Sequence, residues 1–190
     1  MRTRLTELLD IEHPVMLAGM GGVSYAALAA AVSDAGGFGC LGASTMGNEM
    51  MVAEMAAVRA ATDKPFGVDL LTAMPGGMTE QVKMVIEGGA SAFVAGLGVP
   101  TEVVDLCHQH DLVVVSMCGK VEHAVRAVDA GCDLVVAQGT EAAEASGGGD
   151  RGGEGGVRDA AHAGQHDGVL DPEQIGESGV HGKALPVAVS

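Results

Sequence analysis

Three clusters in the amino-acid sequence have the residue types for ligand chemistry, and each closes an apolar run. The first is Ala18-Gly19-Met20-Gly21-Gly22, which follows Val15-Met16-Leu17. Glycines leave bare backbone N–H groups there and give a flat ring or a phosphate room to approach. A plain turn at the end of a buried strand uses the same residues, and the GxGxxG order of a dinucleotide fold is absent. The second cluster is Asp69 within Phe66-Gly67-Val68-Asp69-Leu70-Leu71. A carboxylate in an apolar strand must be paired or hydrogen-bonded, and a ligand or a neighbouring loop would serve equally. The third is Gln138-Gly139-Thr140-Glu141, after the apolar run 133–137. Glutamine offers both a donor and an acceptor, which suits a heterocycle with mixed edges.

Strands and helices that alternate along the chain must hold these clusters. A short amphipathic lead-in over 1–12 places Leu5, Leu8 and Leu9 on one helical face. Short apolar runs over 15–20, 38–42, 66–71, 92–98, 112–117 and 133–137 read as strands. Helical patterns fill 25–35, 50–61, 79–87, 101–110 and 121–130, with Ser24 and Asn48 as candidate N-caps, Pro100 at a first helical position and Gly131 as a C-terminal stop. The strands are continuous apolar runs, as in a parallel sheet covered by helices. The pattern is therefore α/β, in either an eight-stranded barrel or an open doubly wound sheet. After Ala142 the pattern stops. The stretch Ser146-Gly147-Gly148-Gly149-Asp150-Arg151-Gly152-Gly153 has no apolar period, and disorder is the expectation for 143–190.

Composition excludes several function classes. Aromatic residues make up only 2% of the 190 residues, so the core is built from Ala, Val, Leu and Met. A formal net charge of −15 repels phosphate backbones and disfavours nucleic-acid binding. No apolar run approaches the length of a membrane span. Cys40, Cys107, Cys118 and Cys132 lack CxxC or framework spacing, which suits reduced thiols in a cytoplasmic protein. His108, His110 and His123 fall on helices as solvated residues, and His13 has a structural place before Pro14. His162 and His166 are not framed by a helix or an acidic partner, so no metal site is expected.

The run His13-Pro14-Val15-Met16-Leu17-Ala18-Gly19-Met20-Gly21-Gly22-Val23-Ser24 resembles the opening of nitronate monooxygenases, also called 2-nitropropane dioxygenases. Later blocks, Ala35-Gly36-Gly37-Phe38-Gly39-Cys40-Leu41-Gly42, Lys64-Pro65-Phe66-Gly67-Val68-Asp69-Leu70-Leu71 and Gly131-Cys132-Asp133-Leu134-Val135-Val136-Ala137-Gln138-Gly139-Thr140-Glu141-Ala142, match the same family in the same order. Flavin-dependent enoyl reductases and, more distantly, inosinate dehydrogenases share these motifs. The resemblance covers about residues 10–142. It implies a TIM-type (β/α)8 barrel, truncated here to about six βα units over 1–142. It also implies FMN held at the carboxyl ends of the strands, and oxidation of alkyl nitronates with molecular oxygen. By match, Ala18, Gly19 and Met20 would lie against the flavin ring, and Asp69, where many relatives have Asn, near its polar edge. Gln138 and Gly139 would contact the ring or the ribityl chain.

The departures from the family are as informative. Family members continue Glu-Ala-Gly-Gly-His, where the histidine is the candidate catalytic base. This chain reads Glu141-Ala142-Ala143-Glu144-Ala145-Ser146, with no histidine in that place, so the resemblance supplies no catalytic residue. The strands that grip the FMN phosphate are also missing from the pattern. The tail reads either as an out-of-frame sequence or as that of a short paralogue whose barrel is completed by a partner chain, such as the second copy of a homo-oligomer. An enoyl reductase relative and a non-catalytic degenerate fragment are the alternative functions.

Overall fold

In the computed structural model of the protein, residues 2–71, 77–96, 99–138 and 187–189 are described. Helix α1 (Arg4–Leu9) leads into α2 (Ala26–Asp34), β1 (Gly39–Gly42), α3 (Asn48–Ala61), β2 (Phe66–Leu70) and α4 (Met78–Glu87). β3 (Ala92–Ala95), α5 (Thr101–His108), β4 (Val113–Cys118), α6 (Val121–Asp129), β5 (Leu134–Ala137) and β6 (Val187–Val189) follow.

The strands form one sheet in the order β1-β2-β3-β4-β5-β6, with every pair parallel. A doubly wound sheet reverses its order at a switch point. This order never reverses, so each helix returns over the same face, which is the winding of a barrel. The side chains confirm two unlike faces. Leu41, Val68, Phe93 and Val114 share one register row and pack outward with helix residues such as Met51, Met55, Val58 and Val104. Cys40, Ala92, Val94, Val115, Leu134 and Val136 point to the inner face. There they join Phe38 and, from α1, Leu5, Leu8 and Leu9. The amphipathic lead-in expected from the sequence thus fills the interior just before the chain enters the barrel.

The helices form where apolar residues recur at helical spacing. In α3 the buried residues are Met51, Met55 and Val58, one stripe along one face. α6 ends where Gly131 takes φ +96 and its N–H reaches Val128 O, a left-handed position that a side chain would strain.

Five expectations need correction. The run 15–20 is not a strand but an isolated bridge, Met16 to Phe38. Beyond Leu17, whose N–H donates to Phe38 O, the chain leaves the sheet to lie over β1 and β2. Ser24 does not cap α2; Tyr25 does, and the Ser24 hydroxyl is used elsewhere. Asn48 opens α3, with Gly47 as its cap, and Pro100 caps α5 rather than starting it. In the tail, Val187–Val189 is a strand parallel to β5, not a structureless segment. A short apolar run gains its order from the free edge of β5, which no local pattern reveals. The rest of 143–190 lies outside the described residues, as do Leu97 and Gly98 of the expected fourth strand.

Candidate functional site

The strands end on a staggered rim. β1 closes at Gly42, the register partner of Asp69, and that row continues through Val94 and Val115 to Leu134. β5 nevertheless runs on to Ala137 before Gln138 leaves it. Ends that climb along the sheet are what tilted barrel strands produce. Asp69, one residue before the end of β2, and Gln138, one residue after β5, therefore both stand at this rim.

Residues 18–20 cross the mouth on top of β1 and β2. The approach is tight: a Cβ on Gly19 would lie 2.1 Å from Asp69 Cβ and 2.6 Å from its Oδ2. A Cβ on Gly42 would lie 2.3 Å from Met20 O. Only glycine at both points lets the backbone pass. The crossing is held by Ser24, which is fully buried. Its hydroxyl donates to Ala18 O at 2.9 Å and accepts from Met20 N–H at 3.1 Å, while its carbonyl accepts from Gly42 N–H at 3.0 Å. Ala18 and Met20 remain exposed on the outer side of this crossing.

Asp69 is half-buried on the inner face. Among the described residues no group donates a hydrogen bond to its carboxylate and no cation faces it. Burial pushes its carboxyl from 3.8 up to about 7. Beside it the buried Cys40 thiol is held well above its usual range by burial first and by the Asp69 charge second, so it stays a neutral thiol. Gln138 is half-buried, and its N–H donates to Cys118 O at 2.9 Å. That bond fixes its backbone to β4 and leaves the side chain at the rim.

Of the sequence candidates, the structure thus brings Ala18, Gly19, Met20 and Asp69 together and puts Gln138 on the same rim. Gly139 lies outside the described residues. Sequence reasoning missed Ser24 as the clasp and Gly42 as the floor of the crossing. His108 is exposed on α5, as expected, and its Nε2 lies 3.0 Å from Asp133 Oδ2. That Asp133 carboxylate also accepts from Val114 N–H at 2.8 Å, a structural link far from the mouth. All four cysteines are free and buried, with Cys107 and Cys132 pushed up to about 12 chiefly by burial. No group of metal-ligating side chains occurs among the described residues. A shallow depression lined by Asp34, Arg59, Thr62 and Lys64 lies at the opposite, amino end of β2.

Replacing Ser24 with alanine is expected to leave Ala18 O and Met20 N–H without their partner inside the crossing. The expected loss is about 2 kcal/mol, read as a lower urea midpoint with unchanged slope.

Residues 2–81 match the nitronate monooxygenase family. The nitronate monooxygenase of Pseudomonas aeruginosa is 47% identical over 76 residues, 40% of this chain and 22% of that protein. A (3aS,4S,5R,7aS)-5-hydroxy-7a-methyl-1-oxo-octahydro-1H-indene-4-carboxyl-CoA dehydrogenase of Mycobacterium tuberculosis is 36% identical over 141 residues, 74% of this chain and 39% of that one. Among solved structures, FabK from Thermotoga maritima superposes with a TM-score of 0.70 at 35% identity, over 74% of this chain and 45% of FabK. The chain spans less than half the length of these relatives. Its N-terminal part carries the sequence of the nitronate monooxygenase family, built on a TIM-type α/β barrel.

Proposed function

We propose that the barrel mouth seats FMN and that the chain serves FMN-dependent oxidation of alkyl nitronates with molecular oxygen. The observation that carries this is the crossing of residues 18–20. An exposed backbone, flattened by Gly19, is clasped by Ser24 directly above a half-buried carboxylate that has no described partner. A planar heterocycle with polar edges fits such a surface, since it gains apolar contact on one face and hydrogen bonds at its rim. When bound, FMN supplies the electron transfer, while the protein binds and orients it.

Each residue then has a defined task. The backbone at exposed Ala18 and half-buried Gly19 lies against the ring. The Met20 side chain, 43% exposed, gives it a polarisable apolar contact. Asp69 meets a polar edge, and Gln138 with Gly139 reaches the ring or its side chain, the glutamine both donating and accepting. Residues 143–190 hold no histidine directly after Ala142 to act as the family's base. A cytoplasmic location agrees with four free, buried thiols. No helix among the described residues is long and apolar enough to cross a membrane.

The carboxyl-CoA dehydrogenase relative favours a second reading, in which the same flavin mouth serves redox chemistry on an acyl thioester. Oxygen uptake separates the two. With FMN added, the leading reading expects oxygen consumption with ethyl nitronate in the absence of NADH. NADH oxidation that depends on an enoyl thioester, with no nitronate-dependent oxygen uptake, would favour the second reading and overturn the first.

A further inference from the structure

We propose that Asp69 is a proton acceptor at the barrel mouth, taking the α proton from a small carbon acid, such as a nitroalkane, seated against residues 18–20. This rests on reading the mouth as the reaction site and goes further by naming the group that handles the proton. The geometry sets Asp69 apart from every other carboxylate described. It stands within a strand, on the inner face at the rim in the row of Gly42 and Val94, whereas the others lie on helices or in loops. Both its oxygens face glycines. A Cβ on Gly19 would sit 2.6 Å from Oδ2, and one on Gly96 would sit 3.9 Å from Oδ1. The backbone of the 18–20 crossing thus lies directly against one carboxylate oxygen, and Gly96, with the Leu71 side chain beside it, lies toward the other.

The surrounding groups leave the carboxylate free to take up a proton. Residues 18–20, β1 and β3 are the elements packed against it. Among their described residues the only titratable group is Cys40, which burial keeps neutral. Among the described residues no Lys, Arg or His pairs with Asp69 to hold it ionised. Burial without a partner makes a carboxylate a stronger base, because the charged form is the one that burial disfavours. Its value of about 7 puts the ionised, proton-accepting form and the protonated product within reach at neutral pH. An exposed carboxylate would be too weak a base for this.

The step balances without any oxidant. The α C–H bond of the nitroalkane breaks and its electron pair enters the nitro group, giving the nitronate. The proton passes to a carboxylate oxygen of Asp69 and from there to solvent. The product is the nitronate that the proposed oxidation consumes, so the two readings join at one mouth while remaining separable.

Deuterium exchange tests this without requiring turnover. The full chain is incubated with nitroethane in D2O, with and without FMN, and loss of the α-proton signal is followed by NMR against buffer alone. The proposal expects exchange above buffer that rises with pH and levels off above about pH 7. In Asp69→Asn the excess should fall by about a hundredfold. Wild-type exchange that equals buffer, or that shows no inflection in this range, would overturn the proposal even if the variant failed to fold. So would equal excess exchange in folded Asp69→Asn. A parallel FMN titration of the wild type keeps the readings apart. Asp69-dependent exchange without FMN binding keeps the base and removes the flavin, whereas FMN binding without exchange does the reverse.

Discussion

Gly39→Ala is expected to destabilise the chain by about 3 kcal/mol or more, the upper end of what overpacking costs. The added Cβ would lie 2.0 Å from Ala29 O and 2.6 Å from Ser33 Oγ. The first of these is backbone inside α2, so relief requires moving the helix away from β1, not turning a side chain. The same shift would break the Ser33 hydroxyl link, which accepts from Gly39 N–H at 3.1 Å and donates to Pro65 O at 2.8 Å. That link ties α2, β1 and the start of β2 together beneath the crossing of residues 18–20. Gly47→Ala is the control, because a Cβ there meets nothing within 4 Å, and it should change stability by about 0.5 kcal/mol or less. Urea unfolding of both variants decides the matter. Equal midpoints for wild type and Gly39→Ala would contradict the packing described.

Asp69→Asn should stabilise the chain at pH 8 and leave it nearly unchanged at pH 4. Burial raises the folded-state carboxyl from 3.8 to about 7. The folded chain therefore holds this proton over a range where the unfolded chain has released it. Its contribution is fully present below about pH 4 and is lost as pH rises through about 7. At roughly 1.4 kcal/mol per unit the loss has a ceiling near 4 kcal/mol. Partial contact with water lowers that, so about 2–3 kcal/mol is the expected gain for the neutral amide at pH 8. Unfolding midpoints at the two pH values measure it directly. A gain of equal size at pH 4 and pH 8 would show that the carboxylate is not held in an unpaired, desolvated place.

Much of the barrel was legible because its strands are buried on both faces. Runs such as Phe66-Gly67-Val68 and Leu134-Val135-Val136-Ala137 have no polar side to confuse the pattern. The local pattern alone left barrel and doubly wound sheet open, since strand order is a tertiary property; the family resemblance implied the barrel, and the unreversed order of β1 to β6 agrees with it. The run 15–20 misled because its apolar residues serve two purposes. Met16 bridges to Phe38, and Gly19 and Met20 then climb onto β1 and β2. Ser24 misled in another way. A hydroxyl just before a helix is the usual cap signal, but here Ala18 and Met20, on the preceding turn, take both of its bonds. At the site, Asp69 was recognisable as a buried carboxylate needing a partner. That no described residue supplies one could be learned only from the fold. β6 could not be read at all, because three residues gain strand structure only from the edge they join.

The central claim is that the crossing over Asp69 seats FMN, and a titration of FMN into the purified full chain tests it most directly. Followed by flavin fluorescence and by thermal unfolding, it should show saturable quenching and a Tm that rises with FMN concentration, since a ligand of the folded state alone stabilises it. Both effects should weaken in Ser24→Ala, which loosens the crossing without touching the exposed surface. Flavin fluorescence that stays that of free FMN, with an unchanged Tm at concentrations up to about a millimolar, corresponding to roughly 4 kcal/mol of binding free energy or less, would contradict the account.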